Sequence, residues 1–244
     1  MKNFKIEIQY DGTSYHGWQK QPTKNTIQGE IEKALKIMTG ERVGIQGSGR
    51  TDAGVHAIAQ IANYKCDTKI MPSHFKRGIN GLTGDDINIR SCEIVPEEFH
   101  SRFSAIGKIY NYRILNTPKV NVFERNYSCF FHRELNTDEM QKAADYLIGE
   151  KDFKSFENTG SPRTHTVRII KRAGFKKEGD FLNFEIEGNG FLRNMVRNIV
   201  GTLTEVGLGN LSSSDFKAII ESKDRSNAGT TAPACGLFLK KVLY

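Results

Sequence analysis

The chain has 244 residues, a formal net charge of +7 and a hydrophobic content of 38%. No apolar run reaches the length needed to span a bilayer, and the N-terminus lacks the apolar core of a signal peptide, which predicts a soluble, cytoplasmic protein. The four cysteines lie far apart and the six histidines form no HExxH pattern, so we expect free thiols and no metal or redox cofactor.

The first half of the chain predicts strand, helix, strand, strand, helix and strand in that order. Apolar alternation marks the strands, and apolar residues at helical spacing mark the helices. Trp18, the only tryptophan, is interpreted as a loop anchor in the core. The elements are a strand Lys5–Tyr10, a helix capped by Asn25 or Thr26 and ended by Gly40, strands 42–46 and 57–64, a helix capped by Ser73, and a strand 87–95.

The second half repeats this order. Two βαββαβ halves, residues 1–104 and 105–244, predict an α+β fold of two ferredoxin-like units. We expect them to join into one mixed or antiparallel sheet, with helices on one side and a cleft for an extended partner such as RNA. The elements are strands 108–115, 167–175, 181–187 and 237–244, and helices 136–148, 191–206 and one after the serines at 212–214.

The stretch Gly47–Ala57, GSGRTDAGVHA, holds three glycines and a single carboxylate, Asp52. Extended backbone would put Arg50 and Asp52 on one face. A loop held by flanking strands is a common place for chemistry. Taken alone, however, the stretch is better explained as a structural turn in which Asp52 caps the backbone. A phosphate-binding loop would need a lysine followed by Ser or Thr, which is missing.

Basic residues are concentrated in two segments. Residues 158–177 contain six Lys or Arg and residues 99–123 contain four, and neither segment has an acidic residue. Interleaved aromatics suit a groove that follows an RNA backbone and stacks bases. Arg168 and Arg172 are therefore candidate phosphate contacts, although they could form a solvated face. Among these aromatics are Phe103, Tyr110, Tyr112 and Phe175.

The helix FLRNMVRNIVGTLTEVG carries an apolar stripe with Arg193 and Arg197 one turn apart at its edge. We interpret Arg193 as a solvated surface residue. Arg197 is a candidate to pair with a carboxylate in a cleft.

Six segments in the same order resemble the bacterial tRNA pseudouridine synthase A family nearly end to end. RTDAGVHA within the glycine-rich stretch is the most specific of them. The segments are YDGTSYHGWQ, TIQGEIEKAL, GSGRTDAGVHA, KIYNYRI, GFLRNMVRNIVGTL and TTAPACGLFL.

The resemblance implies isomerisation of uridine to pseudouridine in the anticodon stem-loop of tRNA, at positions 38 to 40. It implies no cofactor, and a homodimer in which one tRNA contacts both subunits. Asp52 would be the nucleophile and Arg197 the cation that keeps it ionised. Tyr110 would contact the flipped base, with Tyr112 as packing, and Arg50 would help to extrude the base.

Two questions stay open at the sequence level. The resemblance does not choose between attack on the base, attack on C1′ and deprotonation of the sugar. A tRNA-binding protein or chaperone with weak or lost activity is the alternative function, although the presence of Asp52, Tyr110 and Arg197 counts against it. A nucleotide-dependent RNA modifier is disfavoured by the missing phosphate-loop lysine.

Overall fold

A computed structural model of the chain describes residues 1–158 and 165–244. These residues form two compact units, one of residues 1–106 and 238–244 and the other of residues 107–237. They contain ten strands and five α-helices, which confirms the prediction of an α+β fold. Arg163, part of the predicted basic segment, lies outside the described residues.

The first unit has the predicted βαββαβ order, to which a C-terminal strand is added. Its sheet runs β4-β1-β3-β10, with β2 also paired to β3. Pairing is antiparallel except for β10, which lies parallel to the start of β3. The elements are β1 Lys2–Tyr10, α1 Ile27–Thr39, β2 Gln46–Gly47, β3 His56–Cys66, α2 Pro72–Leu82, β4 Ile87–Val95 and β10 Leu237–Leu243.

Local signals explain the helix bounds of this unit. The Thr26 hydroxyl accepts the N–H of Gly29 at the start of α1, and Gly40 ends the helix at φ 78°, so both predicted caps are confirmed. The predicted cap of α2 at Ser73 is wrong, because Met71 is the cap and Pro72 takes the first helical position, where its fixed φ fits.

The second unit contains a sheet in the order β5-β9-β8-β7, with β6 parallel to β5. The short strands β6 and β7 were not predicted, since three and four residues are too few for a clear alternation. The elements are β5 Gly107–Asn116, β6 Cys129–Phe131, α3 Thr137–Asp145, β7 Gly149–Asp152, β8 Val167–Glu178, β9 Phe181–Gly188, α4 Met195–Gly207 and α5 Ser213–Ser222.

Two predicted helices of this unit are shorter than the sequence suggests. α4 begins at Met195 instead of Phe191, because Asn194 adopts the left-handed conformation at φ 58°. α3 ends at Asp145, so Ile148, which the periodicity placed on the apolar face, lies beyond the helix and is 44% exposed. The apolar stripe predicted for α4 is confirmed despite the shorter helix, since Ile199, Val200 and neighbouring residues are buried.

Each unit buries an aromatic core against its sheet. In the first, Phe4 of β1 stacks on Tyr64 at 5.2 Å between ring centroids and meets the edge of Phe75 from α2 at 5.0 Å. In the second, Phe184 of β9 and Phe156 are fully buried.

Candidate active site

Asp52 lies in the first unit, on the loop between β2 and β3. Its side chain is half-buried, Arg50 is exposed, and Thr51 between them is buried. The chain thus turns Thr51 toward the core and its two neighbours toward the surface. Trp18 is 2% exposed, which confirms its prediction as a core anchor.

Thr51 is the anchor of this loop. Its hydroxyl shares a hydrogen bond of 2.7 Å with the phenol of Tyr10, and its carbonyl accepts the backbone N–H of Trp18 at 3.1 Å. Burial raises the pKa of Tyr10 far above its usual value, so the phenol stays neutral at physiological pH. The backbone next to Asp52 is therefore fixed from two directions.

The segment from Gly12 to Trp18 packs directly on the Asp52 loop. Gly17 has φ 85°, and a Cβ there would lie 2.5 Å from the carbonyl oxygen of Thr51. The N–H of Gly54 donates to the carbonyl of Tyr15. This close approach of two backbones requires glycine at position 17 and explains why the two sequence segments act as one structural feature.

Tyr110 lies in the second unit, on β5. It is 8% exposed, is opposite Ile186 of β9, and meets Phe191 edge-on at 5.1 Å. Tyr112 is on the same face but is fully buried, and its hydroxyl donates to the carbonyl of Pro233 at 2.8 Å. Tyr112 therefore has a packing environment and cannot serve as a stacking surface.

Arg197 lies on α4, also in the second unit, and is half-buried. Its Nε donates to the carbonyl of Ala232 at 2.7 Å, and one of its terminal nitrogens donates to Asn194 Oδ1 at 3.3 Å. Because a guanidinium held at two nitrogens has few rotamers left, its remaining donors have a fixed direction.

Ala232 belongs to residues 228–232, which we call the strap because they lie along α4. A Cβ on Gly201 of α4 would come within 1.8 Å of the carbonyl oxygen of Thr230. The N–H of Gly229 donates to the Thr202 hydroxyl at 2.9 Å. The strap can run this close to the helix because position 201 has no side chain.

A buried polar cluster that the sequence analysis missed holds the strap. Asn198 is fully buried, and its Oδ1 accepts from Arg225 at 3.1 Å and from the Thr231 hydroxyl at 2.7 Å. Its amide nitrogen donates to Phe156 and Asn158, so all four hydrogen-bonding positions of the amide are used. The available signal was an asparagine next to Arg197 in an otherwise apolar helix.

The two candidate phosphate contacts have different surroundings on β8. Arg172 is 60% exposed and forms ion pairs with Glu185 at 2.9 Å and Glu187 at 3.3 Å. Arg168 donates to the backbone carbonyls of His165 and Val167. The charge of Arg172 is thus largely balanced within the protein.

Among the described residues, no group of three or more His, Cys, Asp or Glu side chains could hold a metal ion. The four cysteines are free thiols, and burial raises the pKa of Cys92 and of Cys129 to about 11. Within the part of the chain that the structure describes, every helix is too short or too polar to cross a membrane.

A family model described as tRNA pseudouridine synthase matches residues 6–104 and 143–244. The chain is 49% identical over 245 residues to tRNA pseudouridine synthase A of Ruminiclostridium cellulolyticum, with 100% of both chains covered. It is 47% identical over 244 residues to the protein of the same name from a Thermoanaerobacter species, again with 100% of both covered.

A search of solved structures finds a chain from the crystal structure of a Cbf5-Nop10-Gar1 complex. The two are 13% identical with a TM-score of 0.35, over 83% of this chain and 54% of that one. A likeness of this size adds nothing to the comparison of sequences.

Proposed function

This chain belongs to the tRNA pseudouridine synthase family, and on that premise we propose that it isomerises uridine in the anticodon stem-loop of tRNA with Asp52 as its nucleophile. The family makes the protein an isomerase that modifies tRNA. The position in tRNA and the roles of individual residues are our proposal, and the local structure around each residue supports them.

The reaction dictates what the site must supply. The N1–C1′ bond of uridine breaks, the uracil rotates, and a C5–C1′ bond forms while the C5 proton is released and N1 gains a proton. No redox change or group donor is involved, so side chains can suffice. A carboxylate such as Asp52 can act by covalent attack or through its charge and basicity at the sugar.

The observation that carries the proposal is the fixed backbone at Asp52. The buried bond between Thr51 and Tyr10 and the backbone bond from Trp18 hold the residue before it. A nucleophile gains from such preorganisation because the ordering cost is met during folding. A loop serving only as a hairpin turn would not need two anchors at the residue beside its carboxylate.

The base must leave its stack before a carboxylate can reach its sugar or ring, at a cost of roughly a few kcal/mol. We assign Tyr110 to the flipped uracil, because its ring is fixed by Phe191 and its phenol can take part in proton transfer. Arg50, exposed on the Asp52 loop, is assigned to extruding or replacing the base.

We assign Arg197 the role of keeping the catalytic carboxylate ionised, since a nearby guanidinium stabilises a carboxylate. Its support is the bond from Nε to Ala232, which orients the guanidinium. Arg168 and Arg172 are assigned to the tRNA backbone. By resemblance we further propose a homodimer, no cofactor and a cytoplasmic location, where its substrate is found.

Release of tritium from tRNA carrying C5-labelled uridine, with no group donor added, tests the proposal, because formation of the C5–C1′ bond releases that hydrogen to solvent. We expect release without added ATP, metal or reductant. The positions are then mapped in the product tRNA, where we expect pseudouridine in the anticodon stem-loop. Tight tRNA binding without tritium release would instead indicate a tRNA-binding protein or chaperone, and labelling elsewhere in the tRNA would overturn the assigned position.

A further inference from the structure

The turn at residues 100–104 in the first unit presents an exposed aromatic ring. Phe103 is 76% exposed. The other aromatics of the two basic segments differ in exposure: Tyr110 and Tyr112 are buried, Phe175 tilts onto Phe184 at 4.8 Å, Phe99 tilts onto Tyr244 at 5.1 Å, and Phe123 is 82% exposed. A single exposed apolar side chain is common on protein surfaces, so exposure alone does not make Phe103 a binding site.

The backbone beneath Phe103 is rigidly held. Ser101 is fully buried, its N–H donates to Asn63 Oδ1 at 2.9 Å, and its hydroxyl donates to the carbonyl of Gln46. The phenol of Tyr244 donates to the Ser101 carbonyl at 2.7 Å. Ser101 thus has a partner for its amide, its hydroxyl and its carbonyl, and the residues after it have a fixed place.

The ring itself is supported on one side and flanked by a cation. The His100 ring lies 4.4 Å from that of Phe103, centroid to centroid, and the guanidinium carbon of Arg102 is 5.5 Å from the Phe103 centroid. The N–H of Arg102 donates to His100 Nδ1 at 3.1 Å, which fixes the imidazole. Residues 99–123 contain no acidic side chain.

We propose that Phe103, with Arg102 beside it, is a stacking platform for an unpaired base of the RNA substrate. The inference rests on the proposed function, because that function supplies the RNA. A ring that is already ordered loses little entropy when a base stacks on it. Stacking on an aromatic side chain is sequence-tolerant, and an adjacent arginine adds attraction to base and phosphate.

An exposed ring could instead contact a second copy of the chain. Ile106, 60% exposed, would add apolar area to such a contact. The guanidinium of Arg102 beside the ring favours RNA, since it attracts a polyanion and repels the same cation of a second copy.

The test measures the affinity of Phe103→Ala and Phe103→Tyr for an unmodified full-length tRNA transcript over a range of salt concentrations. Loss of one stacked base predicts binding weaker by about 5- to 100-fold. The salt dependence should stay that of the wild type, because no phosphate contact is removed. Phe103→Tyr keeps the ring and should bind normally.

Phe130→Ala is the matched control, since Phe130 is an exposed aromatic outside both basic segments, and it should bind as the wild type does. Unchanged affinity of Phe103→Ala for tRNA would overturn the proposed platform. The proposal would also be overturned if Phe103→Ala changed the self-association of the protein without RNA and left the affinity for tRNA per subunit unchanged. Absence of tritium release by the wild type, with binding still sensitive to Phe103, would overturn the proposed function but not the platform.

Discussion

Arg197 and Ala232 are joined by two hydrogen bonds that run in opposite directions. The N–H of Ala232 donates to the carbonyl of Arg197 at 3.2 Å, and Arg197 Nε donates to the carbonyl of Ala232 at 2.7 Å. The direction of the guanidinium therefore depends on the place of the strap, and that place depends on the Asn198 cluster. Residues that contact no substrate can thus influence the proposed chemistry.

Thr231→Val tests this dependence. The variant loses the hydroxyl that donates to Asn198 Oδ1 at 2.7 Å and leaves that oxygen with the bond from Arg225 alone. Loss of one hydrogen bond costs about 0.5–1.5 kcal/mol of unfolding free energy. Displacement of the strap should lower kcat for tRNA by about 10- to 100-fold. The KM should change little, because the phosphate contacts are elsewhere. Thermal melting and steady-state tritium release measure the two effects.

Thr231→Ser restores the hydroxyl and should restore both stability and kcat. A purely structural role predicts a lower melting temperature with kcat unchanged for the protein that remains folded. That result would show that Thr231 does not position Arg197.

The sequence was sufficient for features set by neighbouring residues. The bounds of β4 and the two caps of α1 are as predicted, since alternation and capping are local. The Asn198 cluster was missed because its partners Asn158, Arg225 and Thr231 lie 40, 27 and 33 positions away along the chain. No single-sequence pattern encodes which distant oxygens a buried amide will contact.

The candidate site was likewise only partly predictable from the sequence. Asp52 could be identified from a glycine-rich loop and a family resemblance. The contacts that hold its loop in place could not be predicted. The contact between Gly17 and the carbonyl of Thr51 joins positions 34 apart through backbone atoms, and backbone atoms leave no compositional signal beyond the glycine itself.

Asp52→Asn and Asp52→Ala should lose turnover and keep tRNA binding, because they remove the reacting oxygens without touching the basic segments. Single-turnover tritium release and filter binding measure the two properties. Asp67→Asn, at a carboxylate that is 90% exposed, is the control and should be fully active. Turnover by Asp52→Ala at even about one hundredth of the wild-type rate would count decisively against covalent catalysis by Asp52.

Neutralising Arg168 and Arg172 together should flatten the salt dependence of tRNA binding. Each lost phosphate contact reduces the slope of log K against log salt by about 0.7–0.9. Arg172 is paired with Glu185 and Glu187, and Arg168→Gln alone, with those ion pairs intact, measures the share of Arg168 in the change. Lys176→Gln, on the same strand and paired with Glu178 at 2.6 Å, is the control. An unchanged slope in the double variant would show that both arginines belong to a solvated face and contact no phosphate.

Tyr110→Phe separates two roles of this residue, since it keeps the ring and removes only the hydroxyl. Stacking on the flipped uracil, worth about 1–3 kcal/mol, should survive, so tRNA binding should be nearly normal. A role in proton transfer contributes about 10²–10⁴-fold in rate and should be lost. Single-turnover tritium release measures the loss.

Tyr112→Phe is the matched variant on the same face of β5. It removes the phenol that donates to the carbonyl of Pro233 at 2.8 Å, and loss of this hydrogen bond should cost about 0.5–1.5 kcal/mol of unfolding free energy. The folded protein should remain active, because Tyr112 is fully buried and cannot contact a substrate. Near-normal turnover by Tyr110→Phe would confine Tyr110 to stacking, and a large loss of turnover in folded Tyr112→Phe would show that Tyr112 is the tyrosine on which the chemistry depends.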